Sequence, residues 1–289
     1  MGTLHIVATP IGHLEDVTLR ALRVLREVDW VLAEDTRRTR VLLDHFEIPQ
    51  KPTSLHAHNE AGRIESVLDA LSDGRDVALV SDAGTPLVSD PGERLVAAAI
   101  EAGHRVEAVP GPSALLTALT VSGFGTERVL FLGFLPRKAG ARRKLLEGQI
   151  GRPETLVLFE SPKRVATTLG EIAEWLGDRP ACLARELTKQ HEEVVRERAS
   201  VLAERFAATP PRGECTLVVA GADDEEAAAA TAWTDEEVDC AIDERLAAGG
   251  SVKDVATEVA AAAGRNRKAL YARVVELRER RAVAGGGGA

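Results

Sequence analysis

Between Ser81 and Gly92 the chain reads Ser-Asp-Ala-Gly-Thr-Pro-Leu-Val-Ser-Asp-Pro-Gly. Two glycines and two prolines within this stretch impose an irregular backbone, and small side chains let a main chain approach a ligand closely. Asp82 and Asp90 add carboxylates that accept hydrogen bonds from hydroxyl or amino groups. A structural turn has no need of so long a run of such residues, so this is read as a binding loop.

Other polar clusters are weaker signals. His56, His58, Asn59 and Glu60 include a His-x-His pair, a spacing that could ligate a metal. No further Cys or carboxylate pattern accompanies it, so substrate contact by His56 or helix capping by Asn59 is the preferred reading and no metal is expected. Thr9 to Asp16 lacks both Gly-x-Gly-x-x-Gly and a phosphate-loop Gly-Lys-Ser/Thr pair, which disfavours a nicotinamide or nucleoside-triphosphate enzyme. Arg137, Lys138, Arg142, Arg143 and Lys144 form an acid-free basic run. It stands out because the net charge is -9, and phosphate affinity comes from cationic contacts that release counterions. Any nucleic-acid contact must therefore be local.

These residues have to be held by regular elements. Short Val- and Leu-rich runs alternate with helical patterns up to about Gly221, which predicts parallel α/β architecture. Strands are expected at 4–9, 30–33, 77–81, 106–109, 129–134, 155–159, 181–184 and 215–220. Leu19, Leu22 and Leu25 share one helical face, as do Leu95, Ala98 and Ala99, and Gly103 and Gly177 stand where left-handed caps would end helices. In such sheets ligands bind beyond the carboxyl ends of the strands, where the polar loops fall.

Pro110-Gly111-Pro112 interrupts the pattern and predicts a junction between an N-terminal α/β domain, 1–111, and a second, 112–222. An acidic and alanine-rich linker is expected over 223–232, then a small helical domain over 233–284 and a disordered tail over 285–289. Val238, Ile242 and Leu246 mark its first helix, Val252, Val255 and Val259 its second, and Leu270, Val274 and Leu277 its third. With Arg265, Arg267, Lys268 and Arg273, the arrangement resembles a helix-turn-helix unit.

A 289-residue chain that is 45% hydrophobic and 28% charged has the composition of a globular protein. No apolar run approaches the roughly 20 residues of a membrane helix and no basic, apolar leader opens the chain, so a cytoplasmic protein without membrane contact is expected. Cys182, Cys215 and Cys240 are too few and too scattered for a disulfide framework.

Seven ordered motifs then carry a resemblance: Val7-Ala8-Thr9-Pro10-Ile11-Gly12, Ala33-Glu34-Asp35-Thr36-Arg37, Ser81-Asp82-Ala83-Gly84-Thr85-Pro86, Pro110-Gly111-Pro112-Ser113-Ala114, Gly133-Phe134-Leu135-Pro136-Arg137-Lys138, Glu160-Ser161-Pro162-Lys163-Arg164 and Ala184-Arg185-Glu186-Leu187-Thr188-Lys189, followed by Gly213-Glu214-Cys215. Together they resemble the tetrapyrrole methylase superfamily in its RsmI branch, over Leu4 to Gly221, and the trailing helices resemble that branch's small C-terminal domain. His13 stands where the branch commonly carries Asn.

The resemblance implies a two-domain tetrapyrrole methylase-like fold with a small helix-turn-helix-like unit. It implies S-adenosylmethionine held between the domains by Pro10, Asp82, Gly84, Thr85, Val88, Ser113, Ala114, Phe159, Glu186, Leu187 and Thr216. The implied reaction is 2'-O-methylation of the ribose of a cytidine in the decoding region of small-subunit ribosomal RNA, naked or in the assembled subunit, by a homodimer. A ribose hydroxyl profits from a general base, for which Asp35, or its neighbour Glu34, is expected. Arg37, Arg38, His56, Arg137, Lys138, Arg142, Arg143, Lys163, Arg164 and Lys189 are expected on the RNA side, where cationic groups position phosphates. The alternatives are a tetrapyrrole C-methyltransferase, which needs neither the basic segment nor the helical unit, and a non-catalytic nucleic-acid-binding regulator, which leaves the ligand loops unexplained.

Overall fold

The computed structural model describes residues 1–223, 227 and 233–285, and divides into one compact unit through Gly221 and a second from Ala222 onward. The expected linker between Asp224 and Ala232, apart from Ala227, and the tail beyond Gly285 lie outside the described residues.

The first unit contains two five-stranded sheets. Strands β1 (Thr3–Val7), β2 (Trp30–Ala33), β3 (Thr53–Ser54), β4 (Val77–Val80) and β5 (Arg105–Val109) lie in the order β3-β2-β4-β1-β5, and all their pairings are parallel. Parallel neighbours need crossover connections, supplied by α1 (Leu19–Glu27), α2 (Thr36–His45), α3 (Glu60–Ser72) and α4 (Glu93–Glu101). Because successive strand residues face opposite sides, Ala78 and Val80 pack with Leu22, Leu25, Leu42 and Leu43 of α1 and α2. Val77 and Leu79 pack on the other face with Val67, Leu71, Leu95 and Ala99 of α3 and α4. Helices on both faces explain why β4 is apolar throughout rather than alternating.

The second sheet comprises β6 (Val129–Phe134), β7 (Thr155–Glu160), β8 (Pro180–Arg185), β9 (Glu193–Arg198) and β10 (Cys215–Val219), in the order β6-β7-β10-β8-β9. The expectation of wholly parallel strands fails here: only β6 and β7 run parallel, and β10 is antiparallel to both neighbours. The cause is the short connection between β8 and β9. With no helix in it, the chain returns antiparallel beside the strand it has just left. Strand β9, Glu-Val-Val-Arg-Glu-Arg, is a polar edge strand without the apolar run of a buried one, and β3 is only two residues long. Both escape a reading based on hydrophobic runs.

Helices α6 (Ala139–Glu147), α7 (Val165–Trp175) and α8 (Ala199–Ala208) cover one face of this sheet through Leu146, Leu169, Ile172, Leu202 and Phe206. Helix α5 (Ala114–Ser122) covers the other with Ala118 and Leu119. Ile11, from the loop after β1, joins this second cluster and is 6% exposed. Burying such a side chain contributes about 1.5–3 kcal/mol, more than an exposed ion pair does, so apolar packing is the stronger tie between the first loop and the second sheet.

Among its described residues the C-terminal unit clusters the helices α9 (Asp235–Ala247), α10 (Val252–Ala263) and α11 (Arg267–Gly285). Its core holds Val238, Ile242, Val255, Val259, Leu270, Val274 and Leu277, with Leu246 and Val252 packed against it. Thr234 and Glu237 form a reciprocal capping box at its start. The last helix includes Gly285, the first residue of the expected tail; the rest of that tail lies outside the described residues.

Candidate active site

The carboxyl ends of the first sheet's strands meet the second sheet at a cleft of about 440 Å³. Its near wall is Glu34 after β2, the loop Asp82 to Asp90 after β4, and Ser113 and Ala114 at the start of α5; its far wall is Phe134, Phe159 to Pro162, and Gly213 to Thr216.

The near loop is held in one shape. Thr9 and Gly84 exchange backbone hydrogen bonds at 2.9 and 3.0 Å, while the Thr85 hydroxyl donates to the Pro112 carbonyl at 3.1 Å. Leu87 and Ser89 take left-handed backbone at φ 74° and 71°. Non-glycine residues adopt that conformation only where the surroundings enforce it, a pattern common at functional sites. At Gly92, φ is 118° and an added Cβ would lie 2.6 Å from the Leu79 side chain, so any larger residue would displace the loop.

Of the expected cofactor residues, Asp82, Gly84, Thr85, Val88, Ser113, Ala114, Phe159 and Thr216 all line the cleft. Pro10 lines an adjoining recess of about 190 Å³ with Arg38 and Lys189, and Leu187 lines a smaller one beside Ile11 and Thr216. Glu186 does not line the cleft. Its carboxylate pairs with Lys189 at 2.9 Å and accepts the Glu214 backbone N–H at 3.0 Å, holding the loop after β8. The Lys189 ammonium also reaches Glu214 at 3.0 Å. Glu186 thus anchors the loop.

The two expected base candidates part company. Asp35 caps α2, accepting the Arg37 backbone N–H at 2.9 Å, and its other oxygen pairs with the Arg37 guanidinium at 2.6 Å. Those hydrogen bonds, led by the Arg37 side chain, hold the carboxyl at about 2, a poor proton acceptor, and Asp35 is not among the cleft residues. The expectation of Asp35 as base is therefore corrected: it is a helix cap, and Arg37 is its counterion. Glu34 does line the cleft, and burial, with Asp82 adding, raises its carboxyl above the ordinary value, although Arg38 and a hydrogen bond from the Asp82 backbone oppose this. Asp82 is committed as well, accepting the Asp35 N–H at 2.8 Å and facing Arg38 at 3.6 Å.

The basic residues also divide. Arg142 is buried, pairs with Glu171 and donates to the Pro136 and Arg137 carbonyls at 3.1 and 3.2 Å, so its expected RNA role is corrected to an internal clamp. Arg164 is similarly engaged, with Glu160 at 3.3 Å and the Leu135 carbonyl at 3.3 Å. Arg143 pairs with Glu147 and lies over the Trp175 ring. Arg137, Lys138 and Lys163 are exposed on the loops following β6 and β7, the strands that deliver Phe134 and Phe159 to the cleft. Arg38 lines the cleft; His56, beyond β3, does not. Among the described residues no three His, Cys, Asp or Glu side chains converge as a metal ion would require.

Asp90, read from the sequence only as a carboxylate of the binding loop, lines the cleft, as do Glu160 and Glu214, which lay inside motifs already noticed but were not expected as site residues. Glu160 is saturated by the Ser161 N–H, the Thr168 hydroxyl and Arg164. Burial pushes Asp90 up to about 6, with Glu34 and Asp82 adding and a hydrogen bond from Ser81 opposing.

Comparison with known proteins decides the family. A family model for tetrapyrrole (corrin/porphyrin) methylases matches residues 3–203, and one for an RsmI C-terminal HTH domain matches 234–278. A ribosomal RNA small subunit methyltransferase I from Streptococcus pyogenes serotype M1 is 43% identical over 96% of this chain and 96% of its own. The counterpart from Mesorhizobium japonicum is 46% identical over 98% and 95%. The chain belongs to the ribosomal RNA small subunit methyltransferase I family.

The methyltransferase I of Thermotoga maritima is 48% identical over 76% of this chain and 99% of its own. The methyltransferase I fold is that of the tetrapyrrole methylases. A uroporphyrin-III C-methyltransferase of Thermus thermophilus, solved with S-adenyl homocysteine, matches with a TM-score of 0.55 at 22% identity, covering 76% of this chain and 97% of its own. A cobalt precorrin-4 methyltransferase matches with a TM-score of 0.57 at 18% identity, covering 75% and 94%. Among the described residues no helix is long and apolar enough to cross a membrane.

Proposed function

We propose that this methyltransferase I family member binds S-adenosylmethionine in the cleft and methylates the ribose 2'-hydroxyl of a cytidine in the decoding region of small-subunit ribosomal RNA. The cleft's donor set suits that cofactor. A sulfonium nucleoside is cationic, and Glu34, Asp82, Asp90, Glu160 and Glu214 surround the space with carboxylates, while Phe134 and Phe159 offer aromatic surface. Gly84, at φ 85°, brings backbone to the wall where a Cβ would lie 3.2 Å from Ile11.

The bound cofactor supplies an electrophilic methyl group. The protein's part is to align an acceptor oxygen with it, and alignment can be worth several kcal/mol of barrier. The near loop and Ser113 fix the nucleoside from one side, and Thr216 and Phe159 close the other. Arg137, Lys138 and Lys163 position phosphates of an entering single-stranded segment, whose bases can be splayed out. A homodimer acting in the cytoplasm is part of the same proposal, as are domain limits at 1–111 and 112–222.

The observation that carries the reading is the family relationship over almost the whole chain, helical unit included, combined with a cleft built from the motif residues. Incubation with methyl-labelled S-adenosylmethionine and undermethylated small subunits, followed by nuclease mapping, tests it. Label on a ribose of the small-subunit RNA is expected. Label on a nucleobase, or transfer to a macrocycle in place of RNA, defeats it.

A further inference from the structure

We propose that Asp90 is the catalytic base that takes the proton from the acceptor ribose hydroxyl, an assignment that rests on the methyl-transfer reading above and deepens it. Four carboxylates on or near the near wall could serve, and their bonding separates them. Asp35 caps its helix and pairs with Arg37; Asp82 holds the Asp35 N–H and faces Arg38. Among the described residues Glu34 is in no ion pair and its carboxyl is also raised by burial, but Arg38 and the Asp82 backbone oppose that rise, whereas no cation opposes it at Asp90. A carboxylate already paired with a cation has little affinity left for a proton.

Asp90 differs. It lines the same cleft, is half-buried, and among the described residues is in no ion pair, with the neutral Ser81 hydroxyl, just after β4, beside it instead of a cation. A carboxylate has about four lone-pair positions, so Asp90 has room to accept a substrate hydroxyl. The titratable groups that line the cleft with it are Glu34 after β2, Asp82 in its own loop, Arg38 on α2, and Glu160, Glu214 and Cys215 on the far wall. The nearest in charge, Glu34 and Asp82, are both acidic and favour proton uptake. Left-handed Leu87 and Ser89 before it and Gly92 after it constrain the backbone that carries it. Half-burial raises its basicity yet keeps it ionised at neutral pH, as an efficient base requires.

The step balances. As the ribose oxygen forms its bond to the methyl carbon, the carbon–sulfur electron pair returns to sulfur and leaves a neutral thioether. The hydroxyl proton passes to an Asp90 carboxylate oxygen, and the protonated acid releases it to solvent once product leaves.

Single-turnover methyl transfer to undermethylated small subunits, measured from pH 5 to 9 for wild type, D90N and D90E, tests this beside calorimetric binding of S-adenosylhomocysteine. D90N is expected to lose about 100-fold or more in rate while its affinity for S-adenosylhomocysteine changes less than threefold. The wild-type rate should rise through about pH 6, the value to which Asp90 is pushed; that limb should vanish in D90N, and D90E should recover part of the rate. A D90N rate within fivefold of wild type, an unchanged acid limb, or loss of binding in step with rate overturns the assignment. Should D90N fail to fold, a wild-type rate flat between pH 5 and 8 overturns it instead. A wild type that transfers no methyl to RNA sinks the functional reading and this inference together, whereas an active wild type matched by D90N sinks the inference alone.

Discussion

Nη1 of Arg38 stands 3.9 Å from a carboxylate oxygen of Glu214, so a helix of the first sheet reaches across the cleft to the residue that precedes β10 of the second. Both side chains are more than half exposed, at 56% and 61%. Pairs of this kind contribute about 0–1 kcal/mol. R38A should therefore leave the thermal midpoint within about 2 °C of wild type, consistent with so small a term. Because Arg38 lines the cleft, methyl transfer should fall at least tenfold, and a variant that keeps full turnover would take Arg38 out of substrate positioning.

The cap at Asp35 gives a prediction of the opposite kind. D35A removes the acceptor of the Arg37 N–H and should lower the denaturant midpoint at pH 7. D35N keeps a capping oxygen and should retain most turnover. The folded carboxyl lies at about 2, below its ordinary 3.8, so the stabilisation is present above pH 3.8 and disappears as the pH falls through 2. A hundredfold loss of transfer in well-folded D35N would restore Asp35 to the chemistry.

Asp90 has the reverse sign. Its folded value of about 6 lies above the ordinary 3.8, so the folded state favours the protonated acid and loses stability as the pH rises from 3.8 through 6. D90N, which is neutral throughout, should unfold at a higher temperature than wild type at pH 8, with the gap closing below pH 4. Parallel melting curves for the two proteins would contradict the burial of Asp90.

At Gly12 an added Cβ would lie 2.5 Å from the Lys189 side chain and 3.0 Å from the Leu187 carbonyl. The lysine can yield, the backbone cannot. G12A should push the first loop off the second sheet, disturb the His13 N–H to Thr188 hydroxyl bond at 3.0 Å, and cost about 1–3 kcal/mol. Calorimetry should show S-adenosylhomocysteine affinity reduced tenfold or more.

The basic run separates by burial. R142A leaves Glu171 without its cation in a site where Arg142 is only 9% exposed, and should destabilise by about 3–5 kcal/mol. R137A and K138A should leave stability unchanged, weaken binding to the small subunit, and each reduce the salt dependence of that binding by about one counterion. A salt slope identical to wild type would place these cations away from phosphate.

How far the sequence reached is visible in β4 and β9. Val77 to Val80 is apolar because it is buried on both faces, and that local cause was readable directly. Glu193 to Arg198 becomes a strand only because β8 lies beside it, and no pattern within the six residues says so. The same division runs through the site. The chain's own composition determined the α/β order, the binding loop after β4, the helical C-terminal unit and, through ordered motifs, the family. Tertiary structure alone decided which carboxylate stays uncommitted and which arginine is internal. Asp35 and Asp90 are equally plausible bases as letters; a proton affinity is set by the cations, donors and burial that folding gathers around each one, and those neighbours come from distant parts of the chain.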